Sequence, residues 1–363
     1  MPVMKFVFTS YISSPEYNQP DTWLKRIQGY TGILQQLAKS HTVIGIERIN
    51  YEGEYKDKGV HYHFIRQRNN NVRFPFAQHR LMKELKPDVV FINGFIFPLQ
   101  VIQLRLSLGR SVKIILLHRA EKPAKGIKRL LQRMADRCVN AYLFSSAAFG
   151  KEWRSNIDTR KIHEVIQASS NFHPISKSAA RDQTGINGDP VFLWVGSLNQ
   201  RKDPVTVVKA FLEFIKSYPG ARLFMIYQSD ELLETISTII KASDQDKAIV
   251  LAGKIEHDQL LAWYNSADFF ITGSHYEGSG VAVSEAMSCG CIPVTTDFIS
   301  FKAMTGDSGL LYPAGNEQEL VKILLQTPGL DRKKMKEKVL RQFQNELSFE
   351  AIARKIQEVV TTL

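Results

Sequence analysis

The chain of 363 residues has few cysteines and no long uninterrupted apolar segment. Cys138, Cys289 and Cys291 are an odd and sparse set, which argues against a disulfide framework and favours a reducing compartment. Polar residues interrupt the most apolar stretch, residues 91–108, so no transmembrane helix is expected. The first ten residues are typical of a buried strand and not of a signal peptide. These absences predict a soluble protein, cytoplasmic or peripheral at the inner membrane face.

Acidic residues are scarce in the first half of the chain. Residues 1–180 contain 28 Lys and Arg against 13 Asp and Glu, whereas residues 181–363 contain 19 against 23. This asymmetry predicts that the first half meets an anionic partner, such as a membrane surface, a phosphorylated acceptor or a nucleic acid. No motif for nucleic-acid recognition accompanies the charge, so we expect no nucleic-acid partner. A basic nucleic-acid-binding protein is nevertheless the rival hypothesis from another functional class.

Short β-type runs alternate with amphipathic helical segments through both halves of the chain. This alternation is typical of α/β proteins in which helices cover parallel sheets, and it occurs twice. Two doubly wound domains are therefore predicted, with ligands at the C-terminal ends of the strands. The predicted strands are residues 3–9, 41–47, 88–92, 112–118, 141–146, 191–196, 222–227, 248–253, 268–273 and 291–296.

A stretch rich in proline, glycine and small polar residues, 174–190, predicts the linker between the domains. The predicted domains are residues 1–180 and 181–346. The chain becomes helical and charged after about residue 330. We expect the last helix, about 347–363, to pack back on the first domain.

The strongest functional signal is the segment 274–297, SHYEGSGVAVSEAMSCGCIPVTTD. Its residues 277–280, EGSG, form a loop between a predicted buried strand and a predicted helix. Small residues let a ligand approach the backbone, and the N–H groups at a helix start bind anionic oxygens. Glu285 follows Glu277 by eight residues, and the two oxygens of a carboxylate suit the vicinal diol of a ribose. The segment predicts a site for a ligand with phosphate and ribose groups.

These residues resemble the E-x7-E signature of family 4, or group 1, glycosyltransferases, which are retaining enzymes of the GT-B fold. The flanking EAM-x-C-G, I-P-V and Thr-Asp also match. The resemblance implies two Rossmann-like domains that face a cleft. It also implies that Glu285 binds the ribose of a nucleotide-sugar donor and that Glu277 contacts the donor sugar. The backbone that holds sugar and diphosphate would be that of Gly278, Ser279, Gly280 and Val281.

A second resemblance lies in residues 194–211, WVGSLNQRKDPVTVVKAF. The family pattern is a strand, a Gly, usually an Arg, and then a Lys, and both cations meet the donor diphosphate. Gly196 and Lys202 occupy the Gly and Lys positions, but Ser197 stands where most relatives have Arg. Arg201 is the candidate that supplies the missing charge.

Two further matches extend the predicted donor site. Residues 250–274 resemble the strand and loop that precede the Glu motif in the family. This resemblance implies that the backbone of Gly253, Lys254 and Ile255 lies near the nucleobase, and it leaves UDP, GDP and ADP donors open. His118, at the end of a predicted strand, resembles the family's His that contacts the donor sugar, although a lone His is more often structural. With Glu277 and Lys202 it completes the candidate catalytic set.

The segment 122–137 combines an apolar stripe with many cations. At helical spacing, Ile127, Leu130, Leu131 and Met134 share one face. The pattern is typical of an interfacial helix attracted by anionic lipid, where each cation contributes about 1 kcal/mol. A packed helix with a solvated basic face is an equally good interpretation. The cations are Lys125, Lys128, Arg129, Arg133 and Arg137.

The sequence offers no site for a metal. Asp244 and Asp246 form the D-x-D pattern of the other major glycosyltransferase fold, but they lie in a polar turn away from the Gly-rich loop. Cys289 and Cys291 lack a second pair of zinc ligands. We therefore expect no metal and no cofactor besides the nucleotide-sugar co-substrate.

The resemblance as a whole predicts a retaining, metal-independent glycosyltransferase of the hexosyltransferase type. Its acceptor would be a glycan or a lipid-linked sugar, as in cell-surface polysaccharide or glycolipid biosynthesis. A sugar-nucleotide epimerase or a sugar phosphorylase of the same fold would share the donor site, so both remain alternatives.

Overall fold

The computed structural model describes residues 2–66, 73–119, 121–243, 245–278 and 280–363. They form two compact units, of which the first runs to Gln167 and also includes Phe349–Leu363, and the second is Ala168–Ser348. The division thus lies before the predicted boundary at residue 180. Part of the predicted linker is a helix of the second unit, Lys177–Thr184, which packs against another helix of that unit, Leu260–Ser266.

The first unit is built on one eight-stranded sheet. Its strands are β1 (Lys5–Thr9), β2 (Thr42–Glu47), β3 (Gly53–Asp57), β4 (Val60–Phe64), β5 (Val89–Asn93), β6 (Lys113–Leu117), β7 (Ala141–Phe144) and β8 (Ile162–Glu164). The order is β3-β4-β2-β1-β5-β6-β7-β8, and only β3 and β4 pair antiparallel. The five strands predicted in this half are confirmed, whereas β3, β4 and β8 were not predicted.

The helices of the first unit connect these parallel strands. They are α1 (Pro20–Arg26), α2 (Gln28–Leu37), α3 (Phe76–Leu85), α4 (Pro98–Leu108), α5 (Gly126–Asp136) and α6 (Gly150–Trp153). Helices α1 and α2 are separate because Ile27, between them, leaves the helical region with φ −105° and ψ 23°. The core beneath them consists of apolar strand residues such as Phe6, Phe8 and Phe91.

The second unit has a six-stranded sheet in which all pairs are parallel. Its strands are β9 (Val191–Gly196), β10 (Arg222–Tyr227), β11 (Ile249–Gly253), β12 (Phe269–Ile271), β13 (Ile292–Thr296) and β14 (Leu310–Tyr312). The order β11-β10-β9-β12-β13-β14 is that of a Rossmann sheet. The order reverses between β9 and β12, and ligands bind at such a switch point, outside the C-terminal strand ends. The loops after β9 and β12 therefore position a ligand site.

Eight helices flank this sheet in the described part of the second unit. They are α7 (Lys177–Thr184), α8 (Pro204–Phe214), α9 (Leu233–Lys241), α10 (Leu260–Ser266), α11 (Val281–Ser288), α12 (Ile299–Thr305), α13 (Glu317–Gln326) and α14 (Arg332–Gln342). Local chemistry fixes where α8 begins. Pro204 occupies its first turn, and the Asp203 side chain caps it by accepting a hydrogen bond from the Thr206 N–H at 3.2 Å.

The last helix, α15 (Phe349–Thr361), returns to the first unit and packs against α2. The contact is close, because a Cβ atom on Gly32 would lie 2.5 Å from the ring of Phe349. Ile352 and Ile356 are buried in the core of the first unit. The C-terminal segment is therefore an integral part of that unit.

Candidate functional site

The loops after β9 and β12 are in direct contact. The N–H of His275 donates to the carbonyl oxygen of Arg201 at 2.9 Å. Gly273 approaches Asp203 so closely that a Cβ atom on Gly273 would lie 2.5 Å from the Asp203 carbonyl oxygen. Because a backbone oxygen cannot move aside cheaply, glycine is required for this approach. The contact places the side chains of one loop beside those of the other.

Three of the predicted donor-site residues meet at this contact. The Lys202 ammonium group forms an ion pair with Oε2 of Glu277, and Nη1 of Arg201 lies 3.1 Å from the same oxygen. The side chains of Lys202 and Glu277 are each 16% exposed, whereas that of Arg201 is 47% exposed. Two cations thus share one carboxylate, which leaves a net positive charge for an anionic ligand.

The arrangement bears on the missing Arg at position 197. Ser197 is half-buried in the loop after β9 and brings no charge. Arg201 lies beside Lys202 in that loop and donates to the Tyr276 carbonyl oxygen at 3.0 Å. Gly196 is the last residue of β9, so the loop begins directly after it. Arg201 and Lys202 thus lie on the same carboxylate, and the role of Arg201 as the substitute cation remains a prediction.

The start of α11 is shaped by glycine. Gly280 has φ 54°, in the left-handed region, and a Cβ atom there would lie 2.9 Å from the sulfur of Met304. The helix then begins at Val281, and its first N–H groups lack partners within the helix, as an anion-binding end requires. The half-buried Gly278 precedes it, and Ser279 lies outside the described residues.

Glu285 is buried on α11, with 5% of its surface exposed. Its Oε1 lies 2.7 Å from Nε2 of His257, and its Oε2 accepts a hydrogen bond from the Tyr264 hydroxyl at 2.9 Å. Burial, together with the negative charge of Glu285, raises the pKa of Tyr264 well above its usual value, so the hydroxyl stays a donor. The ring of His257 stacks on Phe172 at 5.0 Å.

The loop after β11 reaches Glu285 through His257. Gly253 ends β11 with φ 73°, and no atom lies within 4 Å of the place where its Cβ would be. The exposed Lys254 follows and pairs with Glu256 at 3.3 Å, and Ile255 between them is half-buried. The segments expected near the nucleobase and near the ribose are therefore neighbours. His257 was not predicted from the sequence. The one feature of the sequence that pointed to it is its position two residues after the loop expected near the nucleobase.

His118 lies in the first unit, just after β6, and is only 4% exposed. Its ring stacks on Phe144 at 4.3 Å and meets Phe95 and Trp153 edge-on. Its Nε2 is 3.0 Å from the Glu121 carbonyl oxygen, and burial lowers its pKa, so the neutral ring is favoured. The structure thus encloses the imidazole in aromatic side chains, and its contact with a donor sugar remains a prediction.

Polar side chains that the sequence analysis missed lie at the C-terminal strand ends of the first unit. Glu47 ends β2, is 8% exposed and accepts a hydrogen bond from Nε1 of Trp23 at 3.0 Å. Burial raises the pKa of Glu47 to about 7. Arg119 follows β6, donates to Oδ1 of Asn93 at 2.7 Å and lies 5.7 Å from the ring centre of Tyr30.

The basic segment predicted at 122–137 contains α5, and its apolar stripe faces solvent. Ile127 is 82%, Leu130 60% and Met134 47% exposed. Helix α5 packs through another face, where Gln132 and Ala135 are buried, and Leu131 alone of the stripe is half-buried. No helix in the described ranges is long and apolar enough to cross a membrane.

The candidate metal ligands of the sequence are the aspartates of the D-x-D pattern and the two neighbouring cysteines. Within the described ranges, no group of three or more His, Cys, Asp and Glu side chains could hold an ion. Asp244 and the side chain of Asp246 lie outside what the structure describes. Cys289 and Cys291 are buried free thiols whose pKa values burial raises. Metal independence therefore remains a prediction.

The fold and the donor-site loops agree with known proteins. The profile of the family described as Glycosyl transferases group 1 matches residues 176–338. The chain is 25% identical over 279 residues to alpha-monoglucosyldiacylglycerol synthase of Acholeplasma laidlawii, covering 68% of each protein. It is 23% identical over 288 residues to GDP-mannose:cellobiosyl-diphosphopolyprenol alpha-mannosyltransferase of Xanthomonas campestris, covering 77% of this chain and 70% of the relative.

Solved structures show the same fold. The Anabaena protein HepE in complex with UDP superposes with a TM-score of 0.75 at 12% identity, covering 99% of this chain and 100% of HepE. At this identity the likeness establishes the fold alone. Together with the family match over the second unit and the named relatives, it confirms the resemblance found in the sequence. Residues 176–338 thus match the group 1 glycosyltransferase family, and the fold of the chain is GT-B.

Proposed function

We propose that this enzyme transfers a sugar from a nucleotide sugar to a lipid-linked or glycan acceptor, with retention of anomeric configuration and without a metal ion. The observation that supports the donor half is the meeting of Lys202, Arg201 and Glu277 at the switch point of the second sheet. Glu285 lies on the helix that begins after the same Gly-rich loop.

These residues suit the chemistry of transfer. Cleavage of the anomeric C–O bond leaves a nucleoside diphosphate, and catalysis requires that its growing charge be stabilised. Lys202, Arg201 and the N–H groups that open α11 can do this without a divalent ion. The diphosphate would draw the two cations away from Glu277, and the freed carboxylate would then accept hydrogen bonds from the sugar hydroxyls. The leaving phosphate would take the proton of the acceptor hydroxyl.

A lipid-linked acceptor is supported by two further observations. The names of the two relatives reported above each include a lipid, which is diacylglycerol in one and diphosphopolyprenol in the other. In this chain α5 exposes an apolar stripe among cations, which is the composition of a helix that lies at an anionic bilayer surface. We infer that α5 docks the enzyme peripherally on the cytoplasmic side of a membrane, where both substrates would be available.

The donor assignment is tested by thermal shifts with a panel of UDP-, GDP- and ADP-sugars. A ligand at 100 times its dissociation constant stabilises a protein by about 2.7 kcal/mol, so one base should stand out. Donor consumption should then require an acceptor. Turnover without an acceptor would favour an epimerase instead, and no shift with any nucleotide sugar would contradict a donor site.

Docking is tested by cosedimentation with phosphatidylcholine vesicles that contain a rising fraction of phosphatidylglycerol. Binding should increase with the anionic fraction and fall with salt, because exposed charges are screened. Ile127→Gln together with Leu130→Gln should weaken it, because the stripe would no longer enter the interface. Lys355→Gln, an exchange on α15 in the same unit, is the control. A wild-type protein that ignores such vesicles even at low salt would exclude docking through α5.

A further inference from the structure

A groove with a volume of about 740 Å³ lies in the first unit beside the exposed stripe. One wall is α5 and the other is the segment Arg154–Asp158. We call it the arginine groove. Its lining includes Arg129, Arg133, Arg137 and Arg154, together with Leu130 and Met134.

The two acidic residues of the arginine groove are already engaged by other groups. Asp136 pairs with Lys161 at 3.3 Å and accepts a hydrogen bond from the Tyr142 hydroxyl at 2.8 Å. Asp158 accepts hydrogen bonds from the backbone N–H of Arg160 at 3.0 Å and from its guanidinium group at 2.8–3.2 Å. In contrast, none of the four groove arginines forms an ion pair with a residue that the structure describes. The groove therefore holds guanidinium groups that pair with no carboxylate in the described part of the chain.

The lining is chemically suited to one class of ligand. Guanidinium groups bind phosphate oxygens through paired, parallel hydrogen bonds, which an ammonium group cannot reproduce. Leu130 and Met134 contribute apolar surface to the same groove and continue the stripe of α5. A ligand that satisfies both must carry a phosphate and an apolar part. The volume falls within the range of about 300–1,000 Å³ that is usual for small-molecule sites.

We propose that the arginine groove binds the phosphate headgroup of a phospholipid, with the glycerol and the first acyl carbons against Leu130 and Met134. The proposal rests on the docking of α5 for access to a bilayer, and it goes further by naming a saturable site. If the attraction were diffuse, vesicle binding would depend only on the number of cations. If the groove binds a headgroup, vesicle binding depends on guanidinium groups at particular positions.

Arg154 separates these two possibilities because it lies outside α5. Arg154→Gln leaves the stripe and every cation of the helix in place, and Arg154→Lys keeps even the charge. The matched control is Lys151→Gln, an exposed cation three residues away that does not line the groove. Since both positions are exposed, the circular dichroism spectra and melting curves of all three variants should match those of the wild type.

The measurements use phosphatidylglycerol in two forms, as vesicles with phosphatidylcholine and as the monomeric short-chain lipid, with inorganic phosphate as a third probe. Arg154→Gln and Arg154→Lys should each weaken vesicle binding at physiological salt by about tenfold, as expected when a bidentate charge-assisted pair is lost. Lys151→Gln should change it by about fivefold at most, the effect of one cation near a surface. The short-chain lipid should bind the wild type with one-to-one stoichiometry.

Several outcomes would overturn the groove while leaving docking intact. One is vesicle binding in which both Arg154 variants match Lys151→Gln. Another is inorganic phosphate that binds as tightly as the short-chain lipid, which would make the groove a site for free phosphate. Conversely, stoichiometric binding of the short-chain lipid by a wild type that ignores vesicles would support the groove and exclude docking. Donor affinity, measured on the same variants, should not change in any of these cases.

Discussion

Nε2 of His257 lies 2.7 Å from Oε1 of Glu285, so the carboxylate expected to bind the donor ribose is occupied before any ligand arrives. The Tyr264 hydroxyl holds the other oxygen at 2.9 Å. Tyr264 is fully buried, whereas the His257 side chain is 43% exposed on a loop. A ribose that competes for these oxygens should replace the partly exposed His257 more readily than the buried Tyr264.

Glu285→Ala should weaken the binding of the nucleoside diphosphate about 10- to 100-fold, because hydrogen bonds to a charged group contribute about 1.5–3 kcal/mol. Isothermal titration calorimetry measures the effect. The control is Glu213→Ala, an exposed carboxylate on α8. Because the substitution leaves the buried Tyr264 hydroxyl without its acceptor, a melting curve should accompany it. Wild-type affinity in a folded Glu285→Ala protein would show that the ribose binds elsewhere.

His257→Ala should have the opposite effect. Without the imidazole, Oε1 of Glu285 has one more acceptor site, and the ribose no longer competes with His257 for it. We expect the nucleoside diphosphate to bind about two- to fivefold more tightly. The same titration on His63→Ala, a change in the first unit, serves as the comparison. Weaker binding in His257→Ala would instead mean that His257 contacts the ligand.

Lys202 and Arg201 should both contribute to diphosphate binding, and a rescue experiment separates their roles. Lys202→Ala and Arg201→Ala should each weaken the binding of the nucleoside diphosphate about tenfold or more, because each removes a charge-assisted hydrogen bond. Adding Ser197→Arg to Arg201→Ala should restore affinity, because the family pattern that this loop resembles has its Arg at position 197. Lys209→Ala, an exposed change on α8, controls for net charge. Arg201→Ala with unchanged affinity would remove Arg201 from the site.

Removal of divalent ions should leave transfer intact. The cations and the helix start at the switch point can stabilise the diphosphate, so activity in excess EDTA should equal that of the untreated enzyme. The assay is donor consumption with an acceptor, repeated after addition of magnesium or manganese. Loss of activity in EDTA and its recovery with either ion would contradict the prediction and return attention to Asp244 and Asp246.

The sheets and the donor loops were predictable because their signals are local. All ten strands predicted from apolar runs are present, and Glu277 and Lys202, which the family resemblance singled out, lie in loops that follow predicted strands. The hairpin β3–β4 was missed because its first strand, GEYKD, alternates partly buried with exposed residues and has no apolar run. The burial of His118 could not be predicted, because its aromatic neighbours come from separate elements such as β7 and α6. His257 was missed for the same reason, since only the fold brings it to Glu285.

Glu47 should make the first unit less stable as the pH rises. Its pKa is raised by burial from 4.5 to about 7, although the hydrogen bond from Trp23 lowers it. A carboxyl group whose folded pKa exceeds its unfolded pKa contributes its full stability below pH 4.5 and loses it as the pH rises to about 7. Above that pH the buried charge costs on the order of 3 kcal/mol.

Glu47→Gln removes this titration and keeps an oxygen that accepts the Trp23 hydrogen bond. We expect the variant to be more stable than the wild type at pH 8, by about 1–3 kcal/mol, and equal to it at pH 4. Other titratable groups also change the free energy of unfolding with pH. His79, for example, whose pKa burial lowers to about 4, destabilises the fold as the pH falls below its unfolded value of 6.5. The quantity to compare is therefore the difference in unfolding free energy between variant and wild type, from urea denaturation at each pH. Glu84→Gln, an exposed exchange on α3, is the control and should give no such difference. If the unfolding free energy of Glu47→Gln runs parallel to that of the wild type at every pH, Glu47 is ionised in the folded protein at no cost.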